Sequence, residues 1–299
     1  MIAIVQLLSR LPLSTLQGVG RLLGWIPFLW SRRYRERLRA NLAQAGLADA
    51  RMTRRVVGEI GCGAMELAYI WMRPLPELAG CVREVVGGET IERALRAGRG
   101  IVFLTPHLGC FELASLFVGA SIPLTVLYRA PRMRWLEPLM QRGRMRGFVK
   151  TGSADLSGVR KLMRALKRGE AVGLLPDHVP VAGAGEWADF FGRPAYTGTL
   201  AVRLAAATGA PLVMAFCERL SGGRGYRVQF REASVDGSAE TAARQINREV
   251  EQLIAQQPAQ YLWSYNRYKI PRGVAPPGVA PSTAAAAAAA DGAFADSQR

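Results

Sequence analysis

The chain has 299 residues, 39 Lys or Arg against 23 Asp or Glu, a formal net charge of +16 and 49 % hydrophobic residues. This apolar fraction excludes wholesale disorder, and the length suits one large domain or two small ones. His107 and His178 are the only histidines, which excludes a histidine-rich metal site. Cys62, Cys81, Cys110 and Cys217 lie too far apart for a CxxC or zinc-finger spacing, so a disulfide framework or structural zinc has no support, and they read as free thiols. The surplus positive charge must meet something negative: nucleic acid, an anionic lipid surface or an acidic protein partner.

Residues 1–30 are mostly apolar, interrupted by Arg10 and Arg21, and end in Trp25, Phe28 and Trp30. Residues 31–39, SRRYRERLR, then bring five arginines and one glutamate. A spanning helix wants about 20 consecutive apolar residues, and Arg21 interrupts the run. A signal peptide would carry its basic region first, so the segment is expected to stay on the protein. Three readings stand: a span with the following arginines holding the chain on the cytoplasmic side, an aromatic-rich helix in the headgroup layer, or a buried first helix. Residues 1–30 are therefore expected to be a membrane-anchoring segment that faces the cytoplasmic leaflet.

Beyond residue 40 helix and strand signals alternate. A long helix over 49–73 ends at Pro74, and an amphipathic helix over 89–98 stops at Gly98. IVFLT (101–105) is a short continuous apolar run of the buried-strand kind, followed by the helical pattern FELASLFVG. Strands are predicted over 123–129, 171–177, 211–220 and 225–233, the last two as an antiparallel hairpin. Helices are predicted over 133–147, 157–169, 197–209 and 238–257. Such alternation predicts an α/β fold, a mainly parallel twisted sheet flanked by helices, with the N-terminal membrane-associated helix added. After Lys269 the composition turns to Pro, Gly and Ala, with seven alanines over 284–290, and 271–299 is expected to be a disordered tail.

In open α/β sheets ligands bind beyond the carboxyl ends of the strands. The first polar residues past three predicted strands are His107, Arg129, and Asp177 with His178. His107 and Glu112 are five apart, about 140° of rotation on one regular helix, so they meet only if His107 precedes the helix and Glu112 lies in its first turns. The carboxylate would then accept the Nδ1 proton and leave Nε2 to take a proton from a hydroxyl. No GxSxG nucleophile elbow occurs. From Arg129 to Lys150 seven Lys or Arg, Arg132 among them, stand against one Glu, a surface suited to a phosphorylated lipid or an acidic carrier. Arg267, with Trp263, Asn266 and Lys269, could bind phosphate, although a docked C-terminal segment explains the aromatics equally well. FFGRP (190–194) reads as an apolar turn or as part of an acyl groove.

The blocks HLGCFE, LYRAPR, LLPDHVP, FFGRPAYTGTLAVRLAAATGAP and QYLWSYNRYK, in register over roughly residues 1–270, resemble the lipid A late acyltransferases, a branch of the lysophospholipid acyltransferase superfamily. The resemblance implies that His107 is the general base with Glu112 its partner. An acyl chain would pass from acyl carrier protein to a hydroxyl of a lipid A precursor, with no cofactor. It implies substrate contacts for Arg129 and Asp177, and an acyltransferase domain over 31–270. The family more often reads HxGNWE, so Cys110 and Phe111 depart from it, neither of them being the base or its acid, and bear on acyl-chain or acceptor preference. The alternatives are another lipid acceptor, such as a lysophospholipid, ornithine lipid or glycosylated phosphoinositide, and a non-catalytic basic protein that binds nucleic acid. No nucleic-acid framework is recognisable, which places that partner last of the three.

Overall fold

The computed structural model describes residues 2–128, 136–235 and 237–278. Arg129 and Arg132 lie outside these residues, as does most of the Pro- and Ala-rich tail.

The chain opens with α1 (Ile2–Ser9), α2 (Leu13–Leu23), α3 (Trp25–Trp30), α4 (Arg32–Gln44), α5 (Ala50–Met72) and α6 (Leu75–Cys81). An alternating part follows: β1 (Val82–Val86), α7 (Gly88–Arg96), β2 (Ile101–Leu104), α8 (Phe111–Gly119), β3 (Leu124–Tyr128), α9 (Glu137–Arg144), β4 (Val149–Ser153), α10 (Leu156–Lys167) and β5 (Ala171–Leu174). A hairpin of β6 (Gly185–Phe190) and β7 (Arg193–Gly198) precedes α11 (Leu200–Thr208), β8 (Leu212–Arg219), β9 (Tyr226–Glu232) and α12 (Ala239–Gln256).

Seven strands form one sheet in the order β1-β9-β8-β2-β5-β3-β4. Of its six pairings, β8–β9 alone is antiparallel among the described residues, the hairpin expected from sequence. The expected α/β class therefore holds. The strands β1 and β4 and the β6–β7 hairpin were not among the predicted elements. Edge strands such as VREVV and VKTGS carry too many polar residues to show the apolar run that marks a central strand.

The central strand β2 is apolar throughout because both of its faces are covered. In β2, Ile101 and Phe103 enter one core while Val102 and Leu104 enter the other. β8 divides the same way, Val213 and Ala215 against Leu212 and Met214. The first core is closed by α8 and α9, the second by α10, α11 and α12.

The N-terminus departs from the expected single membrane-associated helix. Pro12 and Gly24 divide it into α1, α2 and α3, and among the described residues no helix is long and apolar enough to cross a membrane. The inner side of α2 lies on α5 with Leu13, Leu16, Gln17 and Gly20 buried. The backbones touch where Gly20 and Gly24 meet Gly61, and a Cβ on Gly61 would overlap the Gly20 carbonyl oxygen. Beside this contact Arg219 on β8 binds Glu66 through two nitrogens and Glu59 at 2.7 Å, both on α5, and Tyr226 on β9 donates to Glu66 at 2.9 Å. Arg21 on α2 reaches the other oxygen of Glu59 at 3.2 Å. Arg219 and Glu66 are both almost completely buried, so this ion network ties the N-terminal helices to the sheet.

Glycine to alanine in a helix ordinarily adds up to about 1 kcal/mol. Gly61→Ala is expected to do the reverse and cost about 1–3 kcal/mol through overpacking, read as a lowered midpoint in guanidinium unfolding. An unchanged or raised midpoint would contradict the close α2–α5 contact.

Candidate active site

β2 and β5 pair in parallel register, Leu104 opposite Leu174. His107 and Asp177 are each the third residue past that pair, so the two loops leave the same sheet edge side by side. Asp177 then holds the histidine twice. One carboxylate oxygen accepts from the His107 main-chain N–H at 3.0 Å, and the other lies 3.0 Å from Nδ1. With Asp177 ionised, Nδ1 carries the proton and donates it, which leaves Nε2 as the acceptor.

The C-terminal segment holds the same loop from its other side. The His107 carbonyl accepts from Leu262 N–H at 3.0 Å, and Gly109 N–H donates to the Gln260 carbonyl at 3.1 Å. Cys110 N–H donates to the Cys217 carbonyl on β8 at 2.8 Å. Gly109 has φ +61°, and a Cβ there would overlap the Cys217 carbonyl oxygen, so the HLGCFE motif requires glycine at this position. The imidazole ring lies between Phe111, edge-on with centroids 4.9 Å apart, and Tyr265, stacked at 6.1 Å. His107 keeps 15 % of its side chain exposed, against 1 % for Asp177.

Burial alone would push the His107 imidazole down, but the Asp177 carboxylate and its hydrogen bond override this and raise it above 6.5. Glu112 adds to the rise and Arg144 opposes it. Burial alone would raise the Asp177 carboxyl. The charge and hydrogen bonds of His107, with Arg267 nearby, hold it below 3.8 instead. The two shifts describe one buried, hydrogen-bonded pair, each partner favouring the charged form of the other.

Glu112 lies in the first turn of α8 and His107 in the turn before it, the placement expected from their spacing. The expected contact between them is not the one made. The Nδ1 position is taken by Asp177, and Glu112 is bound instead by Arg144 on α9, which grips both its oxygens with Nε (3.0 and 2.8 Å) and with Nη2. Trp71 Nε1 on α5 donates to the same carboxylate at 3.3 Å. Only 5 % of Glu112 is exposed, and Arg144 supplies its counter-charge.

Arg267 is a second correction. It is 2 % exposed, and its two Nη atoms donate to the Tyr196 carbonyl (2.9 Å), Thr197 Oγ1 (2.6 Å) and Asn247 Oδ1 (3.0 Å), while the buried Nε has no protein acceptor, so the Nη donors serve the fold rather than a phosphate. Trp263 is buried as well, and Asn41 Nδ2 on α4 holds the carbonyls of Trp263 (2.7 Å) and Tyr265 (2.9 Å). The C-terminal segment is a docked strap. FFGRP is the β6–β7 turn with Phe190 buried beneath it. In the basic run, Arg144 is committed to Glu112 and Arg146 to the carbonyls of Arg73 and Ile70, whereas Arg142 and Lys150 are exposed. His178 lies against Tyr265 with centroids 5.6 Å apart. Arg144, Trp71 and Tyr265 were not singled out from the sequence; the only trace was their membership of basic or aromatic runs.

A family model described as bacterial lipid A biosynthesis acyltransferase matches residues 1–270. The chain is 28 % identical to the lipid A biosynthesis lauroyltransferase of Escherichia coli (strain K12), over 91 % of this chain and 92 % of that protein. It is also 28 % identical to the lipid A biosynthesis palmitoleoyltransferase of the same organism, over 70 % of this chain and 69 % of that one. A lipid A biosynthesis acyltransferase of Haemophilus influenzae is 26 % identical over 70 % of this chain and 64 % of its own length.

Arg144→Ala leaves the buried Glu112 carboxylate without its cation and is expected to cost about 3 kcal/mol in a denaturant titration. The double change Glu112→Gln with Arg144→Met removes both charges and is expected to recover most of that loss. A single-variant cost near zero would contradict the pairing.

Proposed function

Because the chain belongs to the bacterial lipid A biosynthesis acyltransferase family and is an O-acyltransferase, we propose that it transfers a fatty acyl chain from acyl carrier protein to a hydroxyl of a lipid A precursor, with His107 as the general base. The observation that carries the reading is the mostly buried imidazole with Nδ1 on a buried carboxylate and Nε2 left to accept. That arrangement suits proton removal from a hydroxyl held at the open edge of the sheet.

In the proposed step Nε2 takes the acceptor hydroxyl proton as the oxygen attacks the thioester carbonyl carbon. The tetrahedral intermediate collapses, the C–S bond breaks, and the imidazolium returns the proton to the departing thiolate. Asp177 stabilises the transient imidazolium and fixes the ring's tautomer, the part first expected of Glu112. Glu112 acts as a positioning residue, raising the basicity of His107 through space while anchoring α9 through Arg144. The N-terminus of α8 lies at this edge, where its dipole favours the developing oxyanion. Arg129 and Arg132, cations that follow β3 in the sequence, are assigned to phosphate groups of the acceptor or to the acidic carrier. The reaction is placed at the cytoplasmic face of the inner membrane, where such an acceptor resides. The basic nucleic-acid-binding alternative is set aside by the family match.

His107→Ala is expected to lower acyl transfer from acyl carrier protein to a lipid A precursor by about 10²–10⁴-fold with the fold intact. Near-normal turnover would refute the assignment. Deletion of the gene is expected to remove one secondary acyl chain from lipid A by mass spectrometry; unchanged lipid A would point to another lipid acceptor.

The base works only when neutral, so activity is lost as pH falls through its raised value. The acid limb of kcat/KM is expected above 6.5 in the natural protein, and Asp177→Asn is expected to move it to lower pH while reducing the plateau by about 10²-fold or more. A limb unmoved by that substitution would contradict the role given to Asp177.

A further inference from the structure

The buried guanidinium of Arg267 is held by Tyr196 and Thr197 on β7 and by Asn247 on α12, and all three acceptors are neutral. Its Nε is buried without a hydrogen-bond partner, and the group lies over the Phe190 ring at 5.1 Å. A guanidinium keeps its proton, and a buried charge without a counter-charge is strongly destabilising. The carboxylate that supplies the counter-charge is Asp177. Burial works against the charged form of Arg267, while Tyr261 and then Asp177 work for it. The influence is mutual: burial would raise the Asp177 carboxyl, and Arg267 stands behind His107 among the groups that hold it below 3.8. Tyr261 faces both. Its buried hydroxyl has no hydrogen-bond partner, and burial followed by the Asp177 charge hold it well above 10, so it stays neutral.

The backbone fixes this arrangement from two sides. In the C-terminal strap Tyr261 pairs with Leu108, next to His107, and Tyr265 Oη accepts from Val179 N–H at 3.0 Å, two residues past Asp177. Arg267 N–H donates to the Tyr265 carbonyl at 3.0 Å. On the other side Pro180 lies against Gly185 of the β6–β7 hairpin, whose Thr197 Arg267 holds. The Asp177 loop and Arg267 are thus tied to the same strap and the same hairpin. The remaining charges nearby are engaged elsewhere. Glu112 and Arg144 pair with each other, and the exposed Lys269 and Arg193 lie over the rings of Tyr265 and Tyr268. His178 lies against Tyr265.

We propose that Arg267 is a positioning residue for acyl transfer, the fixed counter-charge of Asp177, so that the base works in a row of three with the cation behind the acid. The inference deepens the reading of His107 as the general base, and rests on it. With the imidazole neutral, Asp177 and Arg267 balance each other. When Nε2 takes the hydroxyl proton the row gains one positive charge. Arg267 thereby keeps Asp177 ionised as the acceptor for Nδ1–H, and it limits how strongly the imidazolium is favoured, so that the proton is readily given back to the departing thiolate.

The test joins a stability cycle to a pH titration of His107 by NMR, in the full chain. Arg267→Met is expected to lower the guanidinium unfolding midpoint less in an Asp177→Asn chain than in the natural one, because the former has already lost the counter-charge. A double variant that folds where Arg267→Met alone does not is the same result in its strongest form. The His107 midpoint is expected to rise in Arg267→Met by about half a pH unit or more, since a positive charge has gone and Asp177 serves His107 alone. Acyl transfer by that variant is expected to fall about tenfold or more. Thr197→Val removes one bond to Arg267 and keeps the charge, so it is expected to lower the unfolding midpoint and leave the His107 titration in place. An Arg267 that only braces hairpin and strap would give the opposite pattern: equal losses in both backgrounds, failure of both to fold included, and a His107 midpoint that falls as the Asp177 contact loosens. Either result would overturn the proposal. Coupling in both readouts together with near-normal turnover by His107→Ala would instead contradict the base assignment and leave the pairing of Asp177 with Arg267 standing.

Discussion

The site depends on one registration, the parallel pairing of β2 with β5. Because Leu104 lies opposite Leu174, equal lengths of loop bring His107 and Asp177 together although they are 70 residues apart in the chain. A slip of one residue would turn each strand's buried set to the opposite face and separate the loops. The register is protected because every residue of β2 is buried in one of two cores. The site inherits its precision from that packing, and the C-terminal strap adds to it by holding the His107 carbonyl while Asp177 holds the His107 N–H.

A consequence is a division of labour between two buried carboxylates. Asp177 contacts the base and sets its tautomer. Glu112, fixed by Arg144 and Trp71, lies within electrostatic reach of the imidazole and links it to α5 and α9. Two acids acting on one histidine, Asp177 first and Glu112 after it, explain why the imidazole is raised despite its burial. They also make the site depend on elements from four separate parts of the sequence.

The alternation of elements was legible because central strands covered on both faces become continuous apolar runs, as IVFL and LVMA do. β1, β4 and the β6–β7 hairpin escaped because edge and hairpin strands mix polar residues into the pattern; the hairpin turn at Phe191 and Gly192, both with positive φ, also lacks the Asn-Gly or Asp-Gly signal. His107, Glu112 and Asp177 could all be found by type and by position past strand ends. Their pairing could not, since proximity in sequence favoured Glu112 while the registration that selects Asp177 is tertiary. Arg267 misled for a related reason. A cation near the end of a fold reads as a phosphate ligand until its acceptors, Thr197 and Asn247 among them, are seen to be interior. The N-terminus was the reverse case: its apolar, aromatic and basic composition was plain, but the glycine contacts that divide it into an inner and an outer side require the partner helix α5.

The central claim is that Asp177, not Glu112, orients and charges His107. Nitrogen-15 NMR of the two histidines, assigned with a His178→Gln variant and titrated with pH, tests it directly. The account predicts a neutral His107 with its proton on Nδ1 and a titration midpoint above 6.5 that falls more in Asp177→Asn than in Glu112→Gln. A proton on Nε2, or a midpoint unmoved by Asp177→Asn and lowered only by Glu112→Gln, would contradict it.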